Sequence, residues 1–271
     1  MSRTIHSRRL RVAYNWLTAF GFDPVRFSRA VRFLSVVLKE WNTLRGQSER
    51  AGNHFQLSFT KPCLDDRGMP SGIISPHYFY QDLLVARKIF QRKPVKHVDV
   101  GSRLDGFVAH VASFMPIEVL DIRPQNARIP EITFRKCDVM NPSIQFEDYC
   151  DSLSCLHALE HFGLGRYGDT IDIFGHMRGM ENLHRILRAG GILYLSVPIG
   201  HDAIEFNGDR VISIRTVLEM AHNFRLVGFS FVDDDNILHE NIELDSDSIA
   251  NNCGCEYGCG IFEFKKPEEP I

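Results

Sequence analysis

The chain has 271 residues, 44% of them hydrophobic, a net charge of −3 and seven cysteines. That suits one large domain, or a domain with an appendage, and gives no global pull toward nucleic acid. No apolar run is long enough to span a bilayer. The first residues carry no signal-peptide core, and an odd cysteine count in a domain of this size points to reduced thiols and a cytoplasmic setting.

The charge is uneven. Residues 1–50 hold nine Arg and one Lys against Asp23, Glu40 and Glu49, a net of +7, which leaves −10 for the rest. Leu10, Ala13, Tyr14, Leu17 and Phe20 recur at helical spacing, and Gly21 stops that helix. Asp23-Pro24 starts a second helix, with Val25, Phe27, Val31, Phe33, Leu34, Val37, Leu38 and Trp41 as its apolar residues and Arg26, Arg29 and Arg32 on its other side. Two readings are open. One is a basic amphipathic surface for anionic lipid or a phosphorylated carrier, peripheral at the membrane. The other is a helical lid on the main domain with its basic face in water. Residues 51–75 are rich in Gly, Pro, Ser and Asp and read as an irregular connection. The chain therefore divides into a basic helical extension with its linker, 1–75, and a main domain, 76–271.

The main domain opens with a helix over Tyr78–Phe90. Residues 95–124 then read as strand, glycine turn, helix, strand. Val95, Val98 and Val100 form the first strand; Phe107, Val108, Val111, Ala112 and Met115 follow at helical spacing; Ile117–Ile122 is the second strand. Further strands are predicted at Thr133–Cys137, Tyr149–Ser154, Ile192–Val197, Leu226–Val232 and Gly260–Lys265, and helices at 175–188 and Val211–His222. Strands alternating with helices imply an α/β fold: a doubly wound, Rossmann-like, mostly parallel sheet with an antiparallel closing strand.

Gly101 and Gly106 match the outer glycines of G-x-G-x-x-G, but Arg103 replaces the middle one, where backbone must approach a pyrophosphate. An arginine side chain there obstructs that approach, so the turn suits a ligand without pyrophosphate, such as S-adenosylmethionine (SAM). Ligands of such sheets sit outside the carboxyl ends of the strands. The candidate cofactor residues are accordingly Asp99, Gly101 and Ser102 after the first strand, Asp121 and Ile122 after the second, Asp138 and Val139 after the third, and Cys155 on the fourth. Asp99 would accept from the methionine ammonium, Asp121 from the ribose hydroxyls and Asp138 from the adenine amine. Each acid alone also fits a helix cap.

Asp151 followed by Leu159-Glu160-His161 resembles the segment leaving the fourth strand of class I SAM-dependent methyltransferases. HYFYQD (77–82), HVDVGSRLDGFVAHVASF (97–114), DIRP (121–124), LHALEHFGLGRYGD (156–169), LYLSVPIG (193–200), FNGDR (206–210) and YGCGIFEFKK (257–266) resemble a smaller family of uncharacterised methyltransferase-like proteins, found in nematodes and in bacterial surface-polysaccharide gene clusters. The resemblance implies SAM as cofactor and a hydroxyl acceptor, a sugar of a surface glycan or its precursor. His161 is the preferred base, with Asp169 and His157 as further catalytic candidates. Tyr78, Gln81, Asp82, Arg166, Tyr167, Asn207 and Arg210 are the candidate acceptor contacts.

Four rivals stand beside this reading. His157-x-x-Glu160-His161 also spells the H-x-x-E-H zinc motif of inverzincin proteases, which needs both histidines on one helical face. Cys253, Cys255 and Cys259 could bind a metal, although we expect free thiols and no metal. A non-catalytic scaffold that keeps the fold, or a sugar-modifying oxidoreductase, completes the set; Arg103 and the absence of Tyr-x-x-x-Lys argue against the last.

Overall fold

The computed structural model describes residues 2–52, 54–72, 74–141 and 145–268. The chain separates into two compact units, 1–73 and 74–271. Among the described residues no helix is long and apolar enough to cross a membrane.

The first unit holds α1 (Ser2–Ala19) and α2 (Pro24–Ala51). Asp23 caps α2 by accepting from the backbone N–H groups of Val25 and Arg26, Pro24 occupies the first turn, and Gly52 ends the helix in the left-handed conformation. No residue of α2 is buried. The segment after it is irregular, as its composition implies, yet it lies along α2: Asp65 pairs with Arg26, Arg67 pairs with Glu40, and Phe59 stacks on Trp41 at 5.4 Å.

The second unit begins with α3 (Pro76–Arg92), whose apolar stripe Leu84, Val85, Ile89 is buried. In chain order follow β1 (His97–Val100), a kinked turn over Leu104–Val108 running into α4 (Ala109–Ala112), β2 (Ile117–Asp121), β3 (Ile132–Lys136), β4 (Cys150–Leu156), α5 (Gly175–Ile186) and β5 (Leu187–Ile199). Then come the hairpin β6 (Ala203–Glu205) and β7 (Asp209–Val211), α6 (Ile214–Met220), β8 (Arg225–Val232), β9 (Leu238–His239), α7 (Ser246–Asn251) and β10 (Gly258–Lys265). Eight strands form one sheet in the order β3-β2-β1-β4-β5-β10-β8-β9. The pairs β1–β2, β2–β3, β1–β4 and β4–β5 are parallel, and β10 runs antiparallel to both its neighbours. This is the expected α/β sheet with its closing strand.

Both faces of the sheet are covered, which is why β1 and β2 are buried along their whole length. Leu84, Val85 and Ile89 of α3 pack with Phe107, Val111, Ile117 and Tyr194 on one side; Met180, Leu183 and Ile186 of α5 pack with Leu120, Leu153 and Leu193 on the other. Two buried acids are paired with cations: Glu118 contacts Lys96 and Arg135 and accepts from the Tyr149 hydroxyl, and Glu263 takes Lys88 and Arg92.

Several expectations need correction. The helix predicted over 175–188 ends at Ile186, because Leu187 is extended and already pairs with Cys150. The strand predicted from Ile192 therefore starts five residues earlier, at Leu187. Val211, placed in a helix by its periodicity, belongs to β7, and α6 starts only after the Ser213 cap.

Candidate functional site

Strand order reverses between β1, which continues to β2, and β4, which continues to β5. A cleft opens there at the carboxyl ends of the strands, as the topology requires. Gly101, Asp121, Ile122, Asp138 and Val139 line it together with Val100, Leu120, Met140, Ala158 and Phe162. Gly101 has φ +76, and a Cβ on it would stand 3.0 Å from the Cβ of Ala158. Both the backbone conformation and the close approach demand glycine.

Asp121 is fully engaged. Its Oδ1 accepts from the Arg123 backbone N (2.8 Å) and Nε (3.0 Å), and its Oδ2 from Arg123 Nη2 (2.6 Å). The same guanidinium lies 4.3 Å from the centroid of Tyr167, another lining residue. Arg123 thus ties one wall of the cleft to the other. The cavity left is ≈ 60 Å³, room for a few waters.

His157 and His161 also line a second, polar chamber of ≈ 680 Å³, which they share with His77, Tyr78, Glu160, Arg166, Asp209, Asp234 and Tyr257. The chain leaves β4 through a left-handed residue, His157 (φ +47), and a single 3₁₀ turn, Leu159–His161. The common helical face required for the protease motif does not form. The His157 backbone N–H is still bonded to Ser196 of β5, so the strand continues where that helix would begin. The two rings are fixed separately. His157 Nδ1 lies 2.8 Å from Glu160 Oε1, and His161 Nδ1 lies 2.7 Å from the Gly208 carbonyl. A carbonyl only accepts, so Nδ1 of His161 carries the proton and Nε2 keeps its lone pair. That Nε2 is 3.8 Å from Glu160 Oε1. Glu160, 1% exposed, therefore sits between two imidazoles.

Burial, and then the neighbouring His157, push His77 down to about 4, which leaves it neutral at physiological pH. Burial also opposes protonation of His157, but the adjoining Cys259 and Glu160 outweigh it and hold that ring well above the ordinary imidazole range. Burial raises the Tyr78 phenol.

Most other candidates are engaged elsewhere in the fold. Asp99 is completely buried, and its oxygens accept from Ser102 N (3.0 Å), Ser102 Oγ (2.8 Å) and Ser154 Oγ (2.5 Å). Asp99 and Ser102 thus build the turn below the cleft. Cys155 is fully buried in the core. Gln81 is buried too, donating to Asp82 Oδ1 (3.2 Å) and accepting from Ser196 Oγ (2.5 Å). Asp82 lies beside Gly106, under the turn, and burial raises it to about 6. Arg210, 3% exposed, donates to the carbonyls of Glu160 and Phe162 and fixes the 3₁₀ turn. Asn207 is exposed between β6 and β7. Asp169 lines the cleft, but its Oδ2 accepts from Gly163 and Gly165 and its Oδ1 from Tyr167. These bonds hold the loop. Arg103 pairs with Asp105 at the exposed rim, so its side chain leaves the cleft unobstructed.

Two residues of the site escaped sequence reasoning. Arg123 stands two places after Asp121, a spacing that favours the pair and could have been read. His77 meets His157 only through the fold, and no local signal links them.

No curated protein matches the chain. Among solved structures, N-methyltransferase NodS from Bradyrhizobium japonicum WM9, in complex with S-adenosyl-L-homocysteine, is 14% identical over 70% of this chain and 86% of that one, with a TM-score of 0.48. A second NodS structure is 12% identical over 72% and 98%, with a TM-score of 0.49. The 1,6-didemethyltoxoflavin-N1-methyltransferase of Burkholderia thailandensis is 13% identical over 69% and 79%, with a TM-score of 0.48. The family model described as "Caenorhabditis protein of unknown function, DUF268" matches residues 111–256. That stretch is more than half of the sequence, and the chain belongs to the DUF268 family.

Proposed function

We propose that this chain is a SAM-dependent methyltransferase acting on a hydroxyl, in a sugar of a surface glycan or its precursor. One observation carries the reading: the cleft at the ends of β1, β2 and β3 and the polar chamber share a wall made of His157 and His161. A cofactor space and an acceptor space meet at a potential base.

The residues of the cleft fit the cofactor in kind. Gly101 leaves room beside the first strand, Asp121 can accept from two ribose hydroxyls, and Val100, Leu120, Val139 and Met140 offer apolar walls for adenine. They do not fit it in volume until Arg123 releases Asp121. Arg123 and Tyr167 are both partly exposed, with solvent on one side into which they can move once their mutual contact breaks.

When bound, SAM supplies an electrophilic methyl group on a sulfonium. The chain's part is alignment and proton removal. His161, fixed by Gly208, receives the hydroxyl proton at Nε2, and the Glu160 carboxylate stabilises the imidazolium that forms. Tyr78 and Arg166, at the chamber wall, orient the acceptor. The basic N-terminal unit, with its exposed apolar residues, holds the enzyme at an anionic membrane where such acceptors are built.

Calorimetry with SAM and its demethylated product tests the reading. Binding by the wild type, its loss in Asp121→Ala, and binding without turnover in His161→Ala are expected. Absence of binding in both the wild type and Arg123→Ala would leave the scaffold reading in its place.

A further inference from the structure

His77, His157 and Cys259 come from three separate parts of the fold. His77 lies in the first turn of α3, His157 directly follows β4, and Cys259 is the second residue of β10. One ligand-capable atom of each lies within 4.8 Å of the other two. Ligands held tetrahedrally at about 2.0–2.3 Å from zinc sit roughly 3.5 Å apart. Closing the difference takes only small side-chain rotations.

The histidine in the middle shows what the cluster is for. The His157 side chain is 5% exposed. Its Nδ1 is spent on Glu160, and its Nε2 is buried with no hydrogen-bond partner among the described residues. A buried orphan nitrogen is costly unless something occupies it. An imidazole with one nitrogen on a carboxylate and the other directed at two further soft or borderline donors is the arrangement found in metal-bound histidine. The His77 ring is held in place between His157, with centroids 5.6 Å apart, and Tyr257, at 5.8 Å. Cys259 is fully buried behind them.

We propose that His77, His157 and Cys259 bind one zinc ion whose fourth position opens into the polar chamber. A thiolate with two imidazoles is a borderline-soft set that suits zinc over magnesium or calcium. Three protein ligands with an open position are the pattern of reactive rather than structural zinc. Asp209, Asp233, Asp234 and Glu256 line the chamber and raise the local concentration of cations. On binding, the Cys259 thiol loses its proton and the His157 imidazolium loses the proton on Nε2, both to solvent, and bonds to zinc replace the S–H and N–H bonds. If methyl transfer is the reaction, the open position takes the acceptor hydroxyl beside His161; that role rests on the proposed function, whereas the metal site does not. Of the three cysteines Cys253, Cys255 and Cys259, only Cys259 belongs to this cluster.

Full-length protein, carrying a tag without histidine and purified without chelator, is analysed for zinc and then reconstituted with Co²⁺. About one zinc per chain and a thiolate-to-cobalt charge-transfer band are expected. Cys259→Ser and His77→Gln should lose the band, Cys253→Ser should keep it, and Glu160→Gln should weaken metal affinity roughly 10- to 100-fold. His77 is on the rim, so His77→Gln decides the matter even if Cys259→Ser does not fold. Substoichiometric metal after incubation of folded wild type with excess zinc, or a band that survives His77→Gln, overturns the proposal. SAM binding, measured on the same preparations, separates the two ideas: metal without SAM binding sinks the transferase reading alone, and SAM binding without metal sinks this one.

Discussion

Arg123→Ala should tighten SAM binding. Asp121 is 9% exposed in its side chain, but Arg123 is 47% exposed, so solvent screens their pair to roughly 1 kcal/mol despite its bidentate form. The stacking of the guanidinium on Tyr167 at 4.3 Å adds about 0.5 kcal/mol at such an exposed position. A cofactor that needs the Asp121 oxygens must first break both contacts, so its apparent affinity is reduced by the fraction of open molecules. Removing about 1.5 kcal/mol of closure should lower the apparent Kd about tenfold. Calorimetric titration of wild type and variant with the demethylated product reads this directly. A variant that binds equally or more weakly would show that Arg123 contributes to holding the ligand, and the latch argument would fail.

Three further outcomes follow from the same contacts. Gly163 has φ +78, and a Cβ there would stand 2.0 Å from the Asp172 carbonyl, so Gly163→Ala should lower Tm by about 5 °C or more; an unchanged melt would mean the loop yields freely. Burial lifts Asp99 to about 6 from its ordinary 3.8. The native state therefore holds that proton more tightly than the unfolded chain, and stability falls as pH rises from about 4 through 6, by of order 3 kcal/mol. Urea unfolding of Asp99→Asn should show a flatter slope across that window, and parallel slopes would refute the assignment. Full-length protein should co-sediment with anionic vesicles and not with neutral ones, and Arg26→Glu with Arg29→Glu should release it; equal binding to both vesicle types would contradict a basic anchor.

The fold was legible because its signals are local. Val98, Val100, Val119 and Leu120 mark β1 and β2, two short strands buried on both faces. The capping Asp23-Pro24 and the stop at Gly21 announced the first two helices. The hairpin β6–β7, only three residues a side, offered too short a pattern to read. Within the site, the positions of Gly101, Asp121 and Asp138 could be read because topology alone carries strand ends to the cleft. Their partners could not. Whether an acid at a strand end lines the cleft, as Asp121 does, or is consumed by Ser102 and Ser154, as Asp99 is, depends on partners of which some, such as Ser154, are far away in sequence.

The place of β10 has a consequence for biosynthesis. This strand inserts between β5 and β8, two strands made before it, and brings Cys259 against a histidine from the domain's first helix. While the nascent chain is still on the ribosome, β5 and β8 have unsatisfied edges and the polar chamber lacks the wall made by Glu256 and Tyr257. The His77, His157 and Cys259 cluster is therefore complete only once the closing strand has emerged and threaded home, a long-range step that is slow to form. Premature termination anywhere before Gly258 yields a product that exposes sheet edges to aggregation as well as one without a site.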